Sequence, residues 1–181
     1  MKKVLLVALV FALFVSSSLA DTSRYFDEET GVSFDAPVGW VELPNYVEDD
    51  AIKIQYIPGE KVGNVSIAFA VIDFYSAMSM AQYGYSRKKI DYSYLDDELV
   101  KAILGILEEK SDEEKRYGDF QYRIIDTSIS QTEAGLTLNF DSKMALTLVN
   151  GYVLLFQYIA MSNSDDYYPV FEDVLSSVQM K

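Results

Sequence analysis

The chain is expected to fold as one α+β domain, an antiparallel sheet with helices packed against it. Three observations carry that expectation. Leu136, Leu138, Phe140, Met144, Leu146 and Leu148 fall on alternate positions, and the apolar run Tyr152–Met161 follows them across Asn150-Gly151. Two long strands joined by so tight a turn form an antiparallel pair. Leu95, Leu99, Ile103 and Ile106 recur at helical spacing, and Tyr168, Phe171, Leu175 and Val178 do so again near the C-terminal end.

In chain order, the first expectation is a leader. Met1-Lys2-Lys3 is a basic start, 4–15 is an unbroken apolar run, and Ser16-Ser17-Ser18-Leu19-Ala20 is a small-residue stretch before Asp21. This is the three-part pattern of a secretory signal peptide. The apolar run falls short of the roughly 20 residues that span a bilayer, and the alternative is an uncleaved N-terminal anchor. Cleavage leaves 21–181 as one domain, secreted or periplasmic. The chain has no Cys, so neither a lipidated cysteine nor a disulfide is expected, and no stable membrane insertion should follow leader removal.

Tyr25-Phe26-Asp27 and Val32-Ser33-Phe34-Asp35 read as a small hairpin with Gly31 near its turn. Pro37 and Gly39 then punctuate the chain, and Trp40 is expected to plug the edge of the core. Ile52-Lys53-Ile54-Gln55-Tyr56-Ile57 alternates as a half-buried strand does, and Pro58-Gly59 ends it. In the next strand, 65–74, Val65, Ile67, Phe69 and Val71 share one face. Ser66, Ala68 and Ala70 share the other, where small side chains admit a close neighbour.

Ser93-Tyr94-Leu95-Asp96 fits a capping box, and a helix is expected over 95–109, with 111–116 as a charged linker. Residues 117–130 read as a strand bulged near Asp126. Leu136 onward is the next strand, Gly151 closes the hairpin, and Tyr152–Met161, apolar on both faces, is a central strand. Pro169 is tolerated only in a first helical turn, which places the start of the last helix near Asp166.

The chemistry is mostly a matter of exclusion. With no His and no Cys, Ser-His-Asp triads, Cys-His nucleophiles and the common zinc and haem ligand sets are impossible. The scattered glycines form no phosphate loop. Ser86-Arg87-Lys88-Lys89 matches Ser-x-x-Lys without its companion motifs. A formal net charge of −13, more negative once Lys2 and Lys3 are gone, repels phosphate backbones, so no nucleic-acid partner is expected. Acidic clusters stand at Glu48-Asp49-Asp50, Asp96-Asp97-Glu98, Asp112-Glu113-Glu114 and Asp165-Asp166. They serve solvation, helix N-termini and a linker. The sharper alternatives are a carboxylate hydrolase or a weak Ca²⁺ or Mn²⁺ site.

The candidate contact surface is the connection before the first helix, where Tyr83, Tyr85, Tyr92 and Tyr94 surround Arg87-Lys88-Lys89. Exposed tyrosines offer flat amphipathic area at low entropic cost, and the three cations make a positive island in an acidic chain. The alternative is that these rings cover the seam between helix and sheet.

Tyr25-Phe26-Asp27, then Gly31-Val32-Ser33-Phe34-Asp35-Ala36-Pro37-Val38-Gly39-Trp40, resembles the opening of PsbP-like domains, and Tyr168, Phe171 and Val174-Leu175-Ser176-Ser177-Val178 resembles their last helix. The resemblance covers nearly all of 21–181. It implies an α-β-α sandwich around a central antiparallel sheet, usually without catalysis, in an exported protein. It carries over no catalytic, metal or cofactor residue; Pro37 and Trp40 transfer as structural residues only. The expected function is a non-enzymatic binding or assembly module contacting a protein or small ligand in the envelope or outside.

Overall fold

The computed structural model describes residues 23–43, 51–59, 65–105, 109–133, 136–162 and 167–181. The leader expected over 1–20 and the acidic clusters Glu48-Asp49-Asp50 and Asp165-Asp166 lie outside the described residues. The expected hairpin is present as β1 (Arg24–Phe26) and β2 (Val32–Asp35), paired antiparallel. β3 (Trp40–Leu43), β4 (Ile52–Pro58) and β5 (Val65–Asp73) follow, then a short α1 (Phe74–Ala77), three 3-10 turns at Met80–Tyr83, Arg87–Lys89 and Tyr92–Tyr94, and α2 (Asp97–Leu104). The chain closes with β6 (Glu109–Tyr117), β7 (Phe120–Glu133), β8 (Leu136–Val149), β9 (Tyr152–Met161), α3 (Tyr168–Ser176) and β10 (Gln179–Met180).

Among the described residues these strands form two sheets. One is three-stranded, ordered β1-β2-β10; the other is seven-stranded, ordered β3-β4-β5-β9-β8-β7-β6, with every pairing antiparallel. β9 lies inside the large sheet between β5 and β8, which explains why it is apolar on both faces. The turn into β9 has Asn150 at φ 49° and Gly151 at φ 75°, the paired left-handed conformations that match hairpin twist.

Four expectations are corrected. β4 is not half-buried: Ile52, Ile54, Gln55, Tyr56 and Ile57 are all buried, because both faces of the sheet are covered there. The helix expected over 95–109 is Asp97–Leu104. Asp96 caps it alone, accepting from the Leu99 amide at 2.8 Å, and Gly105 at φ +72° ends it. The stretch 111–116 is no linker but most of β6, the edge strand, whose charges discourage pairing with another sheet edge. The bulge expected near Asp126 lies on the partner strand: Glu109 faces Thr127 and Ser111 faces Asp126, leaving Lys110 as the extra residue.

The seven-stranded sheet has an apolar cluster on each face. On the first, Val65, Ile67, Phe69, Val71, Leu154, Phe156 and Tyr158 meet Val32, Phe34 and Trp40 from the N-terminal strands and Phe171, Val174, Leu175 and Val178 from the C-terminal end. Strand and helix together therefore cover this face. Trp40 is buried, as expected, with its ring edge-on to Tyr167 at 5.6 Å, and Pro37 beside it is buried as well. On the second face Ala70, Ile125, Met144, Leu146, Leu148, Val153 and Leu155 meet Phe74, Ile90, Leu95, Val100 and Leu104, all from the single segment between β5 and β6.

Candidate functional site

The segment 74–94 is built on one charged residue and one turn. Asp73, the last residue of β5, accepts from the Ser76 amide at 3.0 Å and the Ser76 hydroxyl at 2.6 Å, capping α1. Arg87 then folds back onto it. Its guanidinium donates to Asp73 Oδ2 at 3.0 Å, lies 3.0 Å from Oδ1, and reaches Ser76 Oγ at 3.1 Å. The same group lies between two phenol rings, 4.7 Å from the Tyr75 centroid and 4.5 Å from that of Tyr152, an arrangement favoured by the ring quadrupoles. Burial pushes the Asp73 carboxyl up, but hydrogen bonds from Arg87 and Ser76 outweigh it and hold the pKa below the usual carboxylate range. Hydrogen bonding to Asp73 raises the Arg87 pKa in turn.

The β8–β9 turn holds this segment against the sheet. The Tyr75 amide donates to the Gly151 carbonyl and the Gly151 amide to the Ile90 carbonyl, each at 2.9 Å. A Cβ at position 151 would lie 2.7 Å from Tyr75 Cβ and 3.2 Å from Arg87 Cγ. Gly151 is thus required twice, for its backbone conformation and for this approach.

Held in this way, the segment points several apolar side chains into solvent. Met78 is 55% exposed, Tyr83 74% and Tyr85 45%. Ser79 and Gly84 adopt left-handed conformations (φ 53° and 78°), turning the chain on either side of the Met80–Tyr83 turn. The Tyr75 hydroxyl donates to the Tyr85 carbonyl at 2.8 Å, and the Tyr85 ring stands edge-on to Tyr94 at 6.3 Å. Lys88 and Lys89 are exposed. Among the described residues Arg24, Lys53, Arg87, Lys110, Lys115, Arg123 and Lys143 each have a carboxylate partner; Lys88 and Lys89, like Lys101, Arg116 and Lys181, have none, and of these only Lys88 and Lys89 are adjacent in the chain.

The seven residues singled out from sequence therefore divide. Tyr83, Tyr85, Lys88 and Lys89 face outward. Arg87 is turned inward and spends its charge on Asp73. Tyr92 and Tyr94 are half-buried against the second apolar cluster. Burial, then the Glu114 carboxylate, raises the Tyr92 phenol pKa to about 12. Sequence reading missed Met78, which follows no periodicity, and Asp73, whose three-residue spacing to Ser76 is the signal of a capping residue. The Ser-x-x-Lys match falls on the Arg87–Lys89 turn, where the Lys89 amide donates to the Ser86 carbonyl at 2.9 Å.

Within the described acidic clusters Asp97, Asp112 and Glu113 have internal cationic partners. Arg123 Nε donates to both Asp112 oxygens at 2.9 Å and its Nη2 lies 2.7 Å from Asp97. Glu113 pairs with Lys115 at 2.8 Å. Among the described residues no three acidic side chains group as a metal site would require, and no helix is long and apolar enough to cross a membrane.

No protein-family model matches the chain, and no curated protein matches it by sequence. Solved structures do match by shape. A crystal structure from Bacteroides thetaiotaomicron VPI-5482 superposes with a TM-score of 0.57 at 10% identity, over 88% of this chain and 48% of that one, so the chain spans about half of that protein's length. The solution structure of cyanobacterial PsbP (CyanoP) from Synechocystis sp. PCC 6803 superposes with a TM-score of 0.52 at 13% identity, over 94% of this chain and 99% of that one. The chain has a PsbP-like fold.

Proposed function

We propose that the protein is an exported, non-enzymatic binding or assembly module, and that its contact surface is the exposed part of the segment before α2. The α-β-α layering of PsbP-like domains is the frame we assign to it. The observation that carries this reading is a local one. Three of the five large apolar side chains exposed among the described residues, Met78, Tyr83 and Tyr85, fall within one short segment whose backbone is held by Asp73, Arg87 and Gly151. Rigidly presented aromatic side chains are what contact surfaces use, because little entropy remains to be lost on binding.

The absence of His and Cys and the internal pairing of Asp97, Asp112 and Glu113 favour contact over catalysis. Among the described residues the carboxyl groups whose pKa moves, Asp73, Asp91 and Asp141, all move down, the wrong direction for a general acid. The basic start, apolar run and small-residue stretch of 1–20 support export.

The test is photo-crosslinking in the producing cell. A benzophenone side chain at Tyr83 should yield a discrete adduct. The same probe at Val38, which is 76% exposed but outside the segment, should not. Identical labelling at both positions would reject this surface.

A further inference from the structure

Resting on that reading, we infer the chemistry of the partner: a protein segment that presents an apolar side chain beside paired carboxylates. Two independent features of the surface select it. Met78, Tyr83 and Tyr85, close together in one short segment, each expose apolar surface to solvent, which suits an apolar anchor. Next along the chain stand Lys88 and Lys89, adjacent cations without a carboxylate partner, whereas seven of the other described cations are paired. The contrast with Arg87 is informative. The cation needed to hold the segment is consumed by Asp73 at 3.0 Å, while its two neighbours keep their charge available for an incoming anion.

The overall charge of −13 narrows the choice of occupant. It opposes docking on an anionic bilayer and opposes self-association, since both bring large like-charged surfaces together. A short segment with few carboxylates meets that field only weakly, because at physiological ionic strength charges beyond about 8 Å are screened. The two lysines then fix orientation and specificity while the apolar contact supplies most of the affinity.

The probe is a soluble copolymer of glutamate and tyrosine, immobilised on a sensor surface and exposed to 21–181. We expect retention by this copolymer and none by polyglutamate, by a lysine–tyrosine copolymer, or by phosphatidylglycerol-rich vesicles. Lys88→Glu with Lys89→Glu should weaken retention about tenfold, as expected for two reversed rim charges. Tyr83→Ser with Tyr85→Ser should weaken it at least as much. Melting curves of both variants confirm that they fold. Binding to polyglutamate alone, binding to vesicles, dimerisation in sedimentation, or indifference to the lysine reversal would each overturn the inference. If Tyr83 still crosslinks a partner in cells while the copolymer is not retained, the contact surface stands and only the acidic partner falls.

Discussion

The two faces of the seven-stranded sheet are covered in different ways, and the difference separates what folds the molecule from what the molecule offers to others. The first face is closed by elements from opposite ends of the chain: β1 and β2 from the start, α3 and β10 from the finish. Aromatic rings dominate it. Phe156 lies 4.7 Å from Phe69 and 5.3 Å from Phe34, with Phe34 and Phe69 also 5.3 Å apart. The second face is closed by one continuous segment between β5 and β6, with an aliphatic cluster below and a network of polar contacts holding its edge. A cover made from one local segment can vary in sequence and shape without disturbing chain closure. That makes it the natural place for a contact surface.

The largest expected effect comes from emptying the aromatic cluster. Phe156→Ala should lower unfolding free energy by about 4 kcal/mol, and Leu155→Ala, on the neighbouring position facing the other way, by about 2–3 kcal/mol. Denaturant melts measure both. Equal losses would erase the proposed difference between the faces. Second in size is Gly151→Ala, which sets a Cβ 2.7 Å from Tyr75 and asks Ala for φ +75°. The expected cost is about 3 kcal/mol. Amide exchange should show it concentrated in 74–94 rather than in the strands of the first face.

A smaller effect is expected for Arg87→Ala, about 2 kcal/mol, from the loss of one ion pair and two cation–ring contacts. Lys at that position should recover only part of it, since an ammonium lacks the planar fork that spans both Asp73 oxygens and stacks between rings. Full recovery would mean that charge alone holds the segment.

What the sequence disclosed follows from how far apart the interacting residues lie. The strands from Val65 and Leu136 were legible because alternation of side chains is a local signal. Asn150-Gly151 was legible because the turn conformation restricts residue type. β6 was not, since an edge strand needs charge rather than a hydrophobic period, and Glu109–Tyr117 reads as a solvated run. The helix is shorter than its apolar spacing suggests because Ile106 and Leu107 continue that spacing past Gly105, whose positive φ ends it. In the candidate surface the tyrosines and lysines were visible as a cluster. The inward role of Arg87 was not, because Asp73 stands 14 residues earlier and Tyr152 arrives only when the β8–β9 turn docks.

The smallest effect sharpens the comparison through pH, and its sign differs between the faces. Hydrogen bonds from Arg87 and Ser76 hold the folded Asp73 carboxyl below the ordinary carboxylate range, so the unfolded chain binds more protons in that range. Its contribution is fully present above the unfolded carboxylate pKa, about 3.9, and is lost as pH falls through the folded value. Asp73→Asn should therefore cost less than about 1 kcal/mol at neutral pH, and the difference from the parent should vanish in acid. The first face answers at the opposite end of the scale. Burial, aided by the Asp27 charge, raises Tyr25 to about 12, and burial also raises Tyr56 and Tyr122. The preference for their protonated form is intact below the unfolded phenol pKa, about 10, and is lost as pH climbs through about 12. Tyr92 gives the second face one alkaline-sensitive phenol of its own. Amide exchange read against pH should thus show 74–94 loosening first in acid and the β2–α3 cover losing most protection in base. If both covers loosened together below pH about 4, the Asp73–Arg87 pair would not be what distinguishes them.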